Sequence, residues 1–334
     1  MLSIDGSYGE GGGQILRYAL ALAAITKIPF QIYNIRKGRK KPGLMNQHLA
    51  AVRACGRVGS ARVEGDEYGS TELKFIPGEI RGGDYRFDVA AERGSAGSVA
   101  LVLQALLPVL VATEQRSRIS VRGGTHVPFA PIYDYLNEVL IPTLYRLGLD
   151  IKASIRAYGF YPRGGGEVSV EIGGGEIGPL NLGPRGRLLR LKARSVVANL
   201  PEEIAVRQLK PITERYPDIE TEVRVVSSVG AGTYIFIKAE YEEFLAGFSA
   251  LGKKGKPAEK VGEECLEEFL AFDRSHRGLD PHLADQILIY LLDAKMGSRY
   301  VTSKVTSHLR TGIWIINQFL PDRASLTGDV VEIR

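Results

Sequence analysis

The stretch QILRYALALAAITKIPFQIYNI, residues 14 to 35, decides the fold. Its first part carries Ile15, Ala19, Leu22 and Ala23 on one helical stripe, with Gln14 and Arg17, three residues apart, on the opposite face. Its second part, PFQIYNI at 29 to 35, reads as a strand, and after a loop come a helix at 44 to 58 (LMNQHLAAVRACGRV) and a strand at 61 to 64. The same order returns twice. A glycine-containing start (GSAGS, 94 to 98) leads to helix 98 to 112, strand 117 to 122, the loop RGGTHVPFAP, helix 131 to 147 and strand 150 to 155. Near the C-terminus come helix 282 to 296 (HLADQILIYLLDAKM), strand 299 to 305, helix 307 to 319 (SHLRTGIWIINQF) and a last strand at 329 to 334. A repeated helix-strand unit buries its sheet face by stacking on its neighbours, so the pattern implies an α/β protein built from three related units.

Between the second and third units the order breaks. After the hairpin-like YPRGGGEVSVEI (161 to 172) come strand 187 to 197, helix 201 to 216, strands 219 to 228 and 232 to 240, and helix 257 to 272, bounded by GPRG (183 to 186) and SHRGLD (275 to 280). This reads as a small α/β domain at 185–275 inserted in a loop of the host, where insertions cost little. The large domain is then 1–184 with 276–334, its units lying at about 1–83, 84–184 and 276–334. The lysines of KKGK at 253 to 256 read as a solvated loop.

With 334 residues the chain can bury a sizeable core. Its net charge of +5 favours an anionic partner without requiring one. Cys55 and Cys265 are isolated and lack metal-ligand spacing, which suits a reducing compartment, and no apolar run reaches transmembrane length. A cytoplasmic protein with no membrane partner is expected.

Immediately before the first helix lies DGSYGEGGG, residues 5 to 13. Three consecutive glycines expose backbone N–H groups at a helix N-terminus, an arrangement that serves either as an anion cradle or as a plain turn. The spacing is neither that of a Walker loop nor that of a dinucleotide fingerprint. Glu10 on one side of the glycines and Gln14 and Arg17 on the other favour a ligand site. Arg36, Lys37, Arg39, Lys40 and Lys41 follow the first strand, and the next helix opens with Asn46, Gln47 and His48. The cluster is either a solvated basic loop or, fixed between two elements and stiffened by Pro42 and Gly43, a grip for phosphate.

Gln104 interrupts an apolar helix, where a buried amide must find a partner: a structural hydrogen bond or a ligand. His282, Asp285 and Gln286 stand at a helix start, where capping is one explanation and nucleotide binding another. His308 also opens a helix. There the positive dipole end keeps an imidazole neutral and nucleophilic toward phosphorus, although a capped surface histidine has the same sequence context. His126 and His276 read as structural.

These segments together resemble the RNA 3'-terminal phosphate cyclase family. The likeness runs through GEGGGQILR (9 to 17), IRKGRKKPGLMNQH (35 to 48), ERGSAGS (92 to 98), RGGTHVPFAP (122 to 131), YPRGGGE (161 to 167), HLADQ (282 to 286) and TSHLRTGIWIINQFL (306 to 320). The resemblance implies three repeated units, each a four-stranded sheet with two helices, plus an inserted small domain. It implies ATP-dependent conversion of an RNA 3'-terminal phosphate to a 2',3'-cyclic phosphodiester, through a histidine-AMP adduct and an RNA-(3')pp(5')A intermediate. By the same resemblance His308 is the nucleophile and Glu10 binds Mg2+ or Mn2+. Arg17, Arg36, Arg39 and Gln47 hold the RNA terminal phosphate, and Gln104, Pro128, His282, Leu283, Ala284, Asp285 and Gln286 form the ATP pocket. An aromatic residue of the family's pattern is replaced by His282.

Two other readings start from the same fold. One is a cyclase-like ribosome-biogenesis protein without catalysis, which lacks the nucleophilic histidine; His308 together with Glu10, Arg17 and Arg39 favours the enzyme. The other is an enolpyruvyl transferase, whose six repeats require a longer chain.

Overall fold

The computed structural model describes residues 1–89, 96–113, 115–183 and 185–334. The opening of the ERGSAGS block and of the GSAGS start lies outside the described residues, as does the boundary residue Pro184.

Three four-stranded sheets share one strand order. In the first, Leu2–Asp5 runs parallel to Phe30–Tyr33, which pairs antiparallel with Leu73–Ile76, itself antiparallel to Arg62–Glu64. The second repeats this with Asp84–Asp88, Ser117–Gly123, Gly166–Gly174 and Asp150–Ala157. The third does so with Asn181–Leu182, Ser298–Val301, Val330–Ile333 and Ala324–Thr327. Each unit is therefore strand, helix, strand, helix and a closing antiparallel pair, which bears out the mixed α/β class and the repeated four-stranded sheets. The third sheet draws its edge strand from Asn181–Leu182, ahead of the insert, so this unit begins within 84–184 and the insert separates its first strand from its first helix. A two-residue strand carries no periodicity and is found only through its pairing.

Helix Gly13–Thr26 occupies the centre, packed against Asn46–Val58, Val99–Val111 and Ser307–Phe319, so the N-terminus of one helix reaches all three units. Its Ile15, Leu16, Leu20 and Leu22 are fully buried, each contributing about 1.5–3 kcal/mol of hydrophobic stabilisation. Side-chain caps set the starts of three other helices. The Ser98 hydroxyl accepts from the Leu101 N–H, and the Thr306 hydroxyl from the Leu309 N–H, at 3.3 and 3.0 Å. Asp280 takes the N–H groups of His282 and Leu283 at 2.9 and 3.0 Å, with Pro281 in the first helical turn.

Helix 282 to 296 proves shorter than its sequence implies: Pro281–Gln286 is helical, followed by a turn and a 3-10 segment at Tyr290–Asp293. Ile287 through Leu292 is an apolar run without a polar face and is buried throughout, so tertiary packing rather than periodicity sets its path. Helix 131 to 147 runs from Tyr133 to Arg146 with a π-helical stretch at Leu136–Leu140.

The insert forms its own sheet in the order Glu220–Val226, Leu188–Ala198, Gly232–Tyr241, Leu245–Leu251, covered by helices Glu202–Arg215 and Ala258–Ser275. Leu245–Leu251, absent from the sequence reading, lies against the second unit. A Cβ on Gly247 would meet Val139 Cγ2 at 2.8 Å and Tyr135 Cδ2 at 3.0 Å. No helix among the described residues is long and apolar enough to cross a membrane.

Candidate active site

Helices Gly13–Thr26 and Ser307–Phe319 pack side by side, which brings Gln14 to His308. Gln14, buried, presents its amide oxygen to His308 Nδ1 at 2.6 Å. Nδ1 therefore carries the ring proton and Nε2 the lone pair. Nε2 faces Glu10 Oε2 at 3.2 Å, while the histidine side chain remains 46% exposed. Desolvation holds the His308 imidazole below its ordinary value; Glu10 opposes this shift, and the positive charges of Arg17, His282 and Arg39 reinforce it. The result is a neutral imidazole, fixed at one nitrogen and accessible at the other.

The glycines make room for this cluster. A Cβ on Gly12 would lie 2.3 Å from Glu10 Oε1 and 3.2 Å from Arg39 Nη2, and one on Gly13 would lie 2.6 Å from His48 Nε2 and 3.0 Å from Arg17 Nη1. Bare backbone at these two positions lets four charged or polar side chains converge on one helix start. No side chain caps that start, and no acidic residue lies in its first turn.

Arg17 is the cationic centre of the cluster. Burial lowers its guanidinium to about 10, with Glu10 and Asp285 pulling the other way, so it stays charged at neutral pH. Among the described residues it has no hydrogen-bonded or ion-pair partner. Arg39 lies on the rim, donating from Nη2 to the Glu10 carbonyl at 3.2 Å, with its Nη2 3.8 Å from the Glu10 carboxylate. His48 was not given a role by sequence. Its Nδ1 accepts the Met45 N–H at 3.1 Å, so Nε2 bears the proton, and burial with the charges of Arg36 and Arg17 pushes the imidazole down to about 3. It is a neutral donor beside Gly13 and Arg17.

Next to this cluster opens a cavity of about 430 Å³, lined from all three units and from the insert. Gln14, Arg17 and His308 are part of its wall. Gln104, His282, Asp285 and Gln286 line it, and the insert supplies Ser249, Leu251 and Glu268. Gln104 makes no hydrogen bond among the described residues, so its amide is free for a ligand. Burial raises the Asp285 carboxyl to about 7, opposed by His282 and Arg17, and the carboxylate accepts no hydrogen bond among the described residues. His282 Nε2 bonds Glu268 Oε1 at 3.1 Å. Partial desolvation alone would lower His282, but Glu268 and Asp280 outweigh it and raise the imidazole to about 9.

Not every expected residue faces this space. Leu283 and Ala284 point into the core, fully buried, because a contiguous helical motif turns two of its five side chains inward. Pro128 is exposed and outside the lining; Phe129, Ala130 and Pro131, from the same loop, stand there instead. Arg36 is tied to its own loop, donating from Nη1 to the carbonyls of Lys41 and Gly43 at 2.8 and 2.9 Å. Gln47 Oε1 accepts the Ser98 N–H at 3.5 Å, linking the first unit to the second. Glu268, Ser249 and Leu251 were missed because an insert read as a separate domain gives no signal that it walls the host's cavity.

Among the described residues no group of three His, Cys, Asp or Glu side chains could hold a metal ion. The donor set around Glu10 does fit a cation shared with a substrate. The Glu10 carboxylate is reached by solvent beside the helix start, and Mg2+ is commonly held by one or two carboxylates plus substrate phosphates.

A family model described as RNA 3'-terminal phosphate cyclase matches residues 8–326. Among curated proteins, the RNA 3'-terminal phosphate cyclase of Methylococcus capsulatus is 45% identical, covering 96% of this chain and 91% of the relative. That of Pyrococcus furiosus is 40% identical over 99% of this chain and 97% of its own length, and that of Saccharolobus solfataricus 39% identical over 98% and 97%.

Proposed function

The chain belongs to the RNA 3'-terminal phosphate cyclase family, and on that premise we propose that it uses ATP to close an RNA 3'-terminal phosphate into a 2',3'-cyclic phosphodiester, with His308 as the nucleophile. In the first step Nε2 bonds the α-phosphorus as the bond to the bridging oxygen breaks, and pyrophosphate leaves with that electron pair. AMP then passes from the imidazole to an oxygen of the RNA 3'-phosphate. The neighbouring ribose 2'-hydroxyl attacks the activated phosphorus, loses its proton, and expels AMP. The logic is activation: AMP departs readily from a phosphoanhydride, whereas an oxygen of a phosphate monoester does not.

One observation carries the reading: a neutral imidazole held at Nδ1 by Gln14, with its Nε2 lone pair beside Arg17, which has no hydrogen-bond or ion-pair partner among the described residues, and a cavity of nucleotide dimensions. In this reading Gln104, His282, Asp285 and Gln286 contact the nucleoside, with Asp285 suited to accept from ribose hydroxyls. Pro128, Leu283 and Ala284 act through the backbone shape of their segments. Arg17, Arg39 and Gln47 with His48 surround the RNA terminal phosphate, and Arg36 braces the loop that carries Arg39. A divalent cation, Mg2+ or Mn2+, held by Glu10 and the substrate phosphates would offset charge on the departing pyrophosphate. The composition suits a cytoplasmic RNA-processing enzyme.

Incubation with α-labelled ATP and Mg2+ is expected to leave an acid-labile, alkali-stable label on the protein, and His308→Ala to remove it. A folded wild-type protein that takes up no label would sink the mechanism.

A further inference from the structure

The loop that carries Glu10 is laid along the helix that carries His308, residue against residue. Glu10 meets His308, Oε2 to Nε2, at 3.2 Å. One residue back, Gly9 presses on the next turn: a Cβ there would lie 2.8 Å from Thr311 Oγ1. One further back, the Tyr8 ring stacks on Trp314 with centroids 3.9 Å apart and planes 10° from parallel. Positions 308, 311 and 314 are spaced by three and form one ridge of the helix, so loop residues 10, 9 and 8 descend that ridge in step. Upstream, the loop is held by Asp5, whose carboxylate accepts from the Ser7 N–H and hydroxyl at 2.9 and 2.7 Å. Between Asp5 and the helix start, the Tyr8–Trp314 stack is the one large apolar contact of the loop.

Two features argue that this stack holds the loop in place rather than filling a core. Tyr8 is 43% exposed, and its hydroxyl makes no hydrogen bond among the described residues. An exposed ring gains from a near-parallel stack through the ring faces, and this one lies at the far end of the contact that aims Glu10. We propose that Tyr8 and Trp314 are positioning residues: their stack pins the glycine-rich loop to the nucleophile helix and sets the Glu10 carboxylate against His308 Nε2. The inference rests on the reading of His308 as nucleophile only for its effect on rate; the geometry it asserts is independent of that reading.

The test compares Tyr8→Ala, Tyr8→Phe and Trp314→Leu, each checked for native circular dichroism, by two measurements on the full chain. The first is the rate of label uptake from α-labelled ATP. Tyr8→Ala should lose on the order of tenfold in the rate constant, with the ATP concentration at half-maximal rate little changed, because the stack lies off the nucleotide cavity. Tyr8→Phe should retain the wild-type rate. The second is carbethoxylation of His308 by diethyl pyrocarbonate, followed by peptide mapping without ATP. Releasing Glu10 from Nε2 should speed modification several-fold in Tyr8→Ala and Trp314→Leu and leave Tyr8→Phe unchanged. If Tyr8→Ala is folded and His308 is modified at the wild-type rate, or if Tyr8→Phe is as impaired as Tyr8→Ala, the positioning role is overturned. Should the wild type take up no label at all, the nucleophile reading falls by itself, and the carbethoxylation rates still decide the stack.

Discussion

His308 and His126 each have an oxygen bonded at Nδ1 and a carboxylate facing Nε2. For His308 the partners are Gln14 at 2.6 Å and Glu10 at 3.2 Å. For His126 they are Thr125 Oγ1 and Asp134 Oδ2, both at 2.8 Å. What differs lies one layer out. His126 is buried, sandwiched on Tyr234 at 4.2 Å, and Asp134 is also claimed by Arg194 at 2.7 Å. Burial alone would raise the Asp134 carboxyl, but His126 and Arg194 together hold it below its usual range. Glu10 instead keeps partial contact with solvent, and the guanidinium beside it, Arg39, is half exposed. A histidine-carboxylate contact is therefore not a site in itself. It becomes one where the carboxylate and its surrounding cations still have capacity for a ligand, and it becomes a joint where they are consumed by the protein.

The widest separation between the two should come from alanine at each. His308→Ala is expected to remain folded and to lose adenylylation by roughly a thousandfold or more, since no other group can form the covalent link. His126→Ala should do the reverse. It removes a stacked ring and one hydrogen bond each from Thr125 and Asp134, at a cost of about 3–5 kcal/mol, while adenylylation per folded molecule stays near wild type. Denaturant unfolding and label uptake on the same samples check both, and a stable His126→Ala protein would remove the joint from the comparison.

The next contrast is between guanidiniums. Arg194, on the insert strand Leu188–Ala198, pairs with Asp134 and Glu138 of the second unit and with Glu222 of its own domain. Arg17 has no partner among the described residues. Arg194→Met should cost about 2–3 kcal/mol by stranding partly buried carboxylates and leave adenylylation per folded molecule unchanged. Arg17→Met should be neutral to about 1 kcal/mol stabilising, because the cost of burying the guanidinium outweighs the pull of Glu10 and Asp285, yet impair transfer to RNA. A destabilised Arg17→Met protein would mean that its charge is already satisfied without ligand.

Both members of the contrast were unevenly legible in the sequence. Ser307–Phe319 and Val99–Val111 were read almost to the residue, because a polar cap followed by a strong apolar pattern fixes both ends. The all-apolar Ile287–Leu292 and the two-residue Asn181–Leu182 offered no period to read, so their form depends on what packs around them. Glu10, Arg17 and His308 stood out because glycine runs and helix starts are unusual places for such chemistry. Pro128 was the proline named for the pocket, whereas Pro131 lines it, since which proline of VPFAP faces the cavity depends on the turn between them, where Phe129 takes a left-handed φ of 62°. Glu268 was invisible for a different reason: it reaches the cavity only because the insert folds back on the unit it interrupts.

The finest contrast is within the His308 cluster, between the neighbour that pulls the imidazole up and those that push it down. Protonation removes the Nε2 lone pair, so adenylylation at saturating ATP should fall on the acid side of the His308 titration. Desolvation, Arg17, His282 and Arg39 hold that titration below the ordinary value of about 6.5, and the enzyme should keep its rate into mildly acid solution. Glu10 is the largest opposing charge acting on the ring. Glu10→Gln should therefore shift the acid limb further down, and Arg39→Gln should shift it up, each by a fraction of a pH unit because both side chains are reached by solvent. The signs matter more than the sizes. Limbs that move together, or a wild-type limb above the ordinary imidazole value, would mean that the acid limb does not report His308.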